Sequence, residues 1–218
     1  MIRYLSTMVV ALLLAVGLAA DSARLEWDFE FIRDQSQKLY GASDEALQRL
    51  AAWEYLLQSL TDESELEQLR AVNHFFNLRL RFRDDQELWL VKDYWATPVE
   101  SLFKGAADCE DFAIAKYFSL RQLGVPSEKL RITYVKATQL DQAHMVLTFY
   151  EEPTSMPLVL DNLIDAILPA SQRTDLVPVY AFNAEGVWMP GGRSVGDSKG
   201  LSRWQDLLRK MRAEGFSE

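Results

Sequence analysis

The chain has 218 residues, 49% of them hydrophobic and 25% charged, with ten Gly and seven Pro, which fits one globular domain and excludes disorder, collagen and coiled coil. Its formal net charge is −9 and it has no basic cluster that could follow a phosphate backbone, which argues against a nucleic-acid partner. One cysteine, Cys109, and two histidines, His74 and His144, exclude a disulfide scaffold and leave a Cys/His zinc site short of ligands.

The N-terminus carries Arg3 and then the apolar run Met8 to Ala20, with small residues suited to cleavage after Ala19 or Ala20. Its 13 apolar residues fall short of the roughly 20 needed to span a bilayer. The expectation is a signal peptide over residues 1–20 and one acidic, exported, non-embedded domain over 21–218. An exported chain with a single cysteine cannot keep it for an intramolecular disulfide, so Cys109 is either a reactive thiol or a small buried hydrophobe.

Helical spacing from Leu47 through Leu50, Trp53, Leu57 and Leu60 predicts a helix capped at Ser43-Asp44. A second helix is expected from about Asp62 to Leu80, with Leu66, Leu69, Val72, Phe76 and Leu80 as its apolar stripe and Ser64/Glu67 as capping box. His74 lies off the centre of that stripe and reads as a surface or half-buried helix histidine with no catalytic role. Residues 81–107 read as irregular, punctuated by Pro98 and Gly105. A central helix follows from Cys109 to Leu123, stopped by Gly124 and Pro126. The period then drops to two over Leu130 to Ala137 and His144 to Tyr150, and Pro157 to Asp161 is a third strand-length run. A strand near Tyr180 and Trp188 and a closing amphipathic helix with Leu201, Trp204, Leu208 and Met211 complete the pattern. Helices first and hairpin-connected strands later predict an α+β fold with an antiparallel sheet.

Three residues in this pattern suit nucleophilic chemistry. Cys109 falls in the first turn of the central helix, after Asp108 as N-cap, where unpaired N–H groups and the positive dipole end favour thiolate and could hold an oxyanion. If residues 151–154 form the hairpin turn, Tyr150 faces Ser155 and, counting outward, His144 faces Asp161 on the same side of the ladder. Asp161 can then orient the imidazole and leave its other nitrogen for the thiol, a Cys-His-Asp constellation. A register slip of one residue would separate the pair; a slip of two would keep the face and lengthen the contact.

The stretches Asp93-Tyr94-Trp95-Ala96-Thr97-Pro98, Gly105-Ala106-Ala107-Asp108-Cys109-Glu110-Asp111-Phe112-Ala113-Ile114-Ala115-Lys116-Tyr117, Ala143-His144-Met145-Val146-Leu147 and Val159-Leu160-Asp161-Asn162 resemble the bacterial transglutaminase-like cysteine proteases of the LapG type. The resemblance implies a papain-like, transglutaminase-like core, with the Cys-bearing helix packed on the sheet, and a calcium-dependent periplasmic endopeptidase. Its implied substrate is a very large cell-surface adhesin, cut near its N-terminal region so that it is released and the biofilm disperses. Its implied partner is an inner-membrane cyclic di-GMP receptor that sequesters the protease. Nucleophile, base and orienting acid fall on Cys109, His144 and Asp161.

Asp108, Glu110 and Asp111 crowd the cysteine, and like charge opposes a thiolate. Calcium would relieve this, and it takes six to eight oxygen ligands, including backbone carbonyls that an irregular segment can supply. The family's calcium dependence maps onto Asp108 and Glu110, with Asp85, Glu87 and Asp93 as further candidates; Asp111 reads as a helix-capping acid. Two other functions fit the same residues: a transglutaminase or amidase using the same triad, and a non-catalytic calcium-binding module that binds the adhesin. Trp89, Trp95, Trp188 and Trp204 are the candidate anchors for a protein partner.

Overall fold

The computed structural model describes residues 27–41 and 43–217; the expected signal peptide lies outside them. Helices come first: α1 (Phe29–Tyr40), α2 (Asp44–Ser59) and α3 (Glu65–Arg79). Ser43 and Ser64 cap α2 and α3, accepting the amides of Ala46 and Glu67. The sequence pattern did not reveal α1, because its buried face is broken by Ser36, whose hydroxyl is satisfied by the Ile32 carbonyl at 2.6 Å. In α3 the buried face is rotated from the predicted stripe. Leu66 is 43% exposed, and Gln68, Asn73 and Phe75 are inside, the two amides bonding the carbonyls of Leu60 and Asp165.

Residues 81–107 are more regular than predicted. They contain β1 (Arg81–Phe82), α4 (Asp85–Leu88), α5 (Pro98–Lys104) and β2 (Ala106–Ala107), and β1 pairs β2 in parallel. Thr97 and Glu100 form a reciprocal capping box on α5 with Pro98 at its first turn, but seven residues are too few to show a periodicity. Gly105 closes α5 with φ of 63°, and a Cβ there would stand 3.0 Å from the Arg49 guanidinium carbon, so the turn into β2 depends on glycine.

The central helix α6 (Cys109–Gln122) is buried continuously from Glu110 to Leu120. It packs on α3 and α5 and on β4 and β3, which is why its sequence is apolar or small nearly all round. The sheet is formed by β3 (Leu130–Ala137), β4 (Gln142–Phe149), β5 (Leu158–Leu160), β6 (Leu168–Pro169), β7 (Leu176–Phe182), β8 (Val187–Met189) and β9 (Arg193–Gly196). Its order is β6-β5-β4-β3-β7-β8-β9 and each pairing is antiparallel. The α+β fold with the cysteine helix on an antiparallel sheet is as expected.

The last helix, α7 (Ser202–Glu214), returns to α1. Trp27 meets Phe216 edge-on at 4.7 Å and donates its indole N–H to the Ser217 carbonyl. Trp204 is 1% exposed and packs against Tyr117, Phe118 and Phe182; Trp95 is buried and stacks on Phe182 at 5.4 Å. Neither is a surface anchor, because the closing helix and the cleft wall use their rings as core. Trp89 and Trp188 are half-buried, covered by the cations of Lys104 and Arg131. Trp204→Ala should cost about 3–5 kcal/mol of stability, read as a lowered midpoint in urea unfolding; a loss below 1 kcal/mol would show that α7 is not part of the core.

Candidate active site

Two pieces of backbone fix Cys109. The amides of Arg81 and Arg83 donate to the carbonyls of Gly105 and Ala107, so the β1/β2 ladder sets the approach, and α6 begins at the cysteine itself. Asp108 is the N-cap residue, as predicted, but its side chain makes no capping hydrogen bond. Cys109 lies on the wall of a cleft of about 540 Å³, together with His144, Met145, Tyr134, Tyr180 and Trp95. The helix supplies the thiol and strand β4 supplies the imidazole.

The register between β4 and β5 differs from the predicted one by two residues. Leu147 opposes Leu160 and Phe149 opposes Leu158, so the turn is longer than residues 151–154 and Asp161 lies just past the end of β5. A two-residue shift keeps the face, and the diagonal contact still closes. His144 Nε2 is 2.8 Å from Asp161 Oδ1 with both side chains buried, which leaves Nδ1 of the ring free of that bond. The Leu163 amide donates to the same oxygen at 3.1 Å, and Arg173 Nη2 donates to Oδ2 at 2.7 Å. Burial pushes the Asp161 carboxyl up, but the hydrogen bond and charge of His144, the Leu163 amide and Arg173 outweigh it and hold the group down at about 2. Asp161 is therefore ionised and the shared proton belongs to Nε2. His74 is exposed and paired with Asp165 at 2.7 Å, as its position off the stripe predicted.

The acids around the cysteine form one cluster. Asp85, Asp108 and Asp111 bring carboxylate oxygens within 4.8 Å of one another, and so do Asp85, Asp93 and Glu110. Asp85 Oδ1, Asp108 Oδ1 and Asp111 Oδ2 are buried and have no hydrogen-bond partner among the described residues. Burial and the neighbouring carboxylates push Asp108 up to about 11 and Asp85 up to about 6, and raise Asp111 well above the ordinary range. Orphaned oxygens converging from three acids are the donor set of a hard cation, so the residues fit calcium.

Two details depart from the sequence reading. Asp111 is a member of the cluster rather than only a capping acid; its Oδ1 takes the Ala96 amide at 2.6 Å and Oδ2 is left for a ligand. Glu87 is exposed, pairs with Arg83 at 3.6 Å and belongs to neither group among the described residues. Glu87→Ala should leave calcium affinity within about twofold, checked by titration calorimetry, since an exposed helix ion pair is worth only about 0.5 kcal/mol.

The thiol sits among these acids, which the sequence reading expected to oppose a thiolate. Cys109 Sγ donates to Glu110 Oε2 at 3.1 Å, and burial, followed by the charges of Glu110 and Asp108, raises the thiol far above its usual range, with the Met145 amide acting the other way. Burial first, and the neighbouring acids second, thus work against the helix-end effect that favours a thiolate.

A profile of the family described as bacterial transglutaminase-like cysteine proteinase (BTLCP) matches residues 51–189. Among solved structures, Legionella pneumophila LapG is 45% identical, with 87% of this chain and 99% of that one covered at a TM-score of 0.74. The EGTA-treated form of LapG is 44% identical over 87% and 100% at 0.75, and its calcium-bound form 43% identical over 84% and 99% at 0.73. None of the curated proteins compared with the chain matches it. With the family profile spanning more than half of its length and near-complete overlap with LapG, the chain belongs to the bacterial transglutaminase-like cysteine proteinases.

Proposed function

We propose that this chain is a calcium-dependent periplasmic endopeptidase that cuts a very large surface adhesin near its N-terminal region, releasing it and dispersing the biofilm. An inner-membrane cyclic di-GMP receptor would hold the protease in check. The observation that carries the reading is the cleft that Cys109 and His144 share, with Asp161 bonded to the far side of the ring, in a chain 45% identical to LapG. Export is supported by the apolar N-terminal run, and among the described residues no helix is long and apolar enough to cross a membrane.

In this reading His144 Nδ1 takes the proton of Cys109 as Sγ attacks the scissile carbonyl. The oxyanion meets the free amides at the start of α6. His144 then gives the proton to the leaving amine, and a thioester remains on Cys109. Water, deprotonated by the same imidazole, attacks the thioester and frees the new carboxyl end. Asp161 stabilises the imidazolium in both halves and fixes its tautomer. Asp85, Asp108 and Asp111, with Glu110 and Asp93 beside them, would hold calcium. When bound, the ion supplies positive charge that offsets the acids raising the thiol and ties the loop of α4 to the catalytic helix.

Mass spectrometry of a recombinant N-terminal adhesin fragment after incubation with the chain tests the proposal. Two fragments whose masses sum to the parent plus one water are expected. Loss of ammonia with an amine-linked product would indicate a transglutaminase, and an unchanged fragment that co-purifies with the chain would indicate a binding module. Pull-down from membranes at low cyclic di-GMP should leave the chain free, and at high cyclic di-GMP should bring down the receptor.

A further inference from the structure

Asp161 is 1% exposed, so its lone pairs must be met by protein donors. Oδ1 takes His144 and the Leu163 amide, whereas Oδ2 is held by Arg173 Nη2. Arg173 is itself 2% exposed and is fastened from behind, its Nε to Asp175 Oδ1 at 3.0 Å and its Nη2 to Asp175 Oδ2 at 2.8 Å. Asp175 is anchored in turn, since its carbonyl accepts the amide of Thr138 just past the end of β3. Arg173 ends the 3-10 turn Ala170–Gln172 on the connection that runs from β6 at the sheet edge to β7 beside β3. The topology thus delivers a guanidinium to the carboxylate oxygen that His144 does not use.

A carboxylate bonded through one oxygen can swing about its terminal torsion, which is broad and nearly two-fold. Held at both oxygens by donors of fixed direction, its plane is set. A guanidinium also keeps a buried carboxylate charged, which a neutral donor does less well.

We propose that Arg173 is a positioning residue: it locks the plane of Asp161 so that His144 presents Nδ1 to Cys109. The inference rests on the roles proposed above for those three residues. Lys116 on α6 also faces Asp161 electrostatically, so the test reads the Asp161–His144 hydrogen bond directly.

The chain, labelled with ¹⁵N-histidine and loaded with calcium, has two imidazoles, and His74→Ala assigns their signals. The wild type should show a slowly exchanging low-field Nε2–H of His144. In Arg173→Ala this signal should broaden or vanish and adhesin-fragment cleavage should fall by about tenfold or more, whereas Arg173→Lys, which keeps the charge, should restore the signal and most of the activity. If Arg173→Ala does not fold, Asp175→Asn loosens the fork without touching Asp161 and should speed exchange of the same proton. A folded Arg173→Ala, or the Asp175→Asn variant in its place, with wild-type shift and exchange would reduce Arg173 to a tie between two segments and overturn the inference. Continued cleavage by Cys109→Ala would instead remove the proposed reaction and leave the resonance result standing on its own.

Discussion

Replacing Cys109 with alanine should end cleavage, a loss on the order of 10⁴ to 10⁶-fold, because members of a nucleophile and base pair act as a unit. His144→Ala should lose about as much, and the double variant little more, since either change already prevents formation of the thioester. Asp161→Asn should lower turnover by roughly 10³ to 10⁴-fold. It keeps the shape of the acid but presents an amide where Nε2 needs an acceptor and where Arg173 needs a charge. His74→Ala should retain most activity, because its ring is exposed and bonded to Asp165, away from the cleft. Fragment mass spectrometry with thermal midpoints alongside separates lost chemistry from lost fold. Activity surviving in His144→Ala but failing in His74→Ala would reverse the assignment of the base.

Calcium removal should have the next largest effect. With EGTA, cleavage should stop and the thermal midpoint should fall; calcium should restore both and magnesium should not, since magnesium demands a tight octahedron that a cluster of splayed carboxylates does not offer. At calcium one hundred times its dissociation constant the ion adds about 2.7 kcal/mol, or roughly 5–10 °C for a domain of this size. The pH dependence of stability should also depend on the metal. In EGTA the raised carboxyls stabilise the fold most when protonated, below pH 4, and that stability is lost as pH rises through about 6, where Asp85 titrates. The calcium-free midpoint should therefore be higher at pH 5 than at pH 7.5, and bound calcium should cancel or invert the difference. Asp111→Asn should raise the midpoint in EGTA, by removing a buried acid that the calcium-free fold tolerates only at the cost of holding its proton, and abolish the response to calcium. A variant that still binds calcium with wild-type affinity would exclude Asp111 from the ligand set.

What the sequence made legible followed from periodicity. α6 and β3 match their predicted spans closely because eleven consecutive residues of α6 are buried and β3 sends Leu130 and Ile132 into the main core and Val135 into the smaller cluster on its other face. Hairpin arithmetic placed His144 beside Asp161 although the register was wrong by two, since the two-residue pleat makes the face robust where the turn length is not. The acids at 108 and 110 were visible beside the cysteine, but the third member at 111 was masked by an equally good role as a helix-start acid. Arg173 had no local signal. It reaches Asp161 because the chain passes from β6 at the sheet edge to β7 beside β3, and such a contact is written in topology, not in spacing.

The junction of Trp27 with Phe216 and Ser217 joins positions 190 residues apart, and it has a kinetic consequence. Closing so long a loop costs on the order of 5 kcal/mol in chain entropy, and contacts of such separation are made late. Until α7 is synthesised, Trp53, Tyr117 and Phe182 lack neighbours they have in the finished molecule. A nascent chain therefore lacks part of its core until nearly its last turn, and the cleft, whose wall includes Leu201, Ser202 and Arg203, is completed only when the segment leading into α7 has docked.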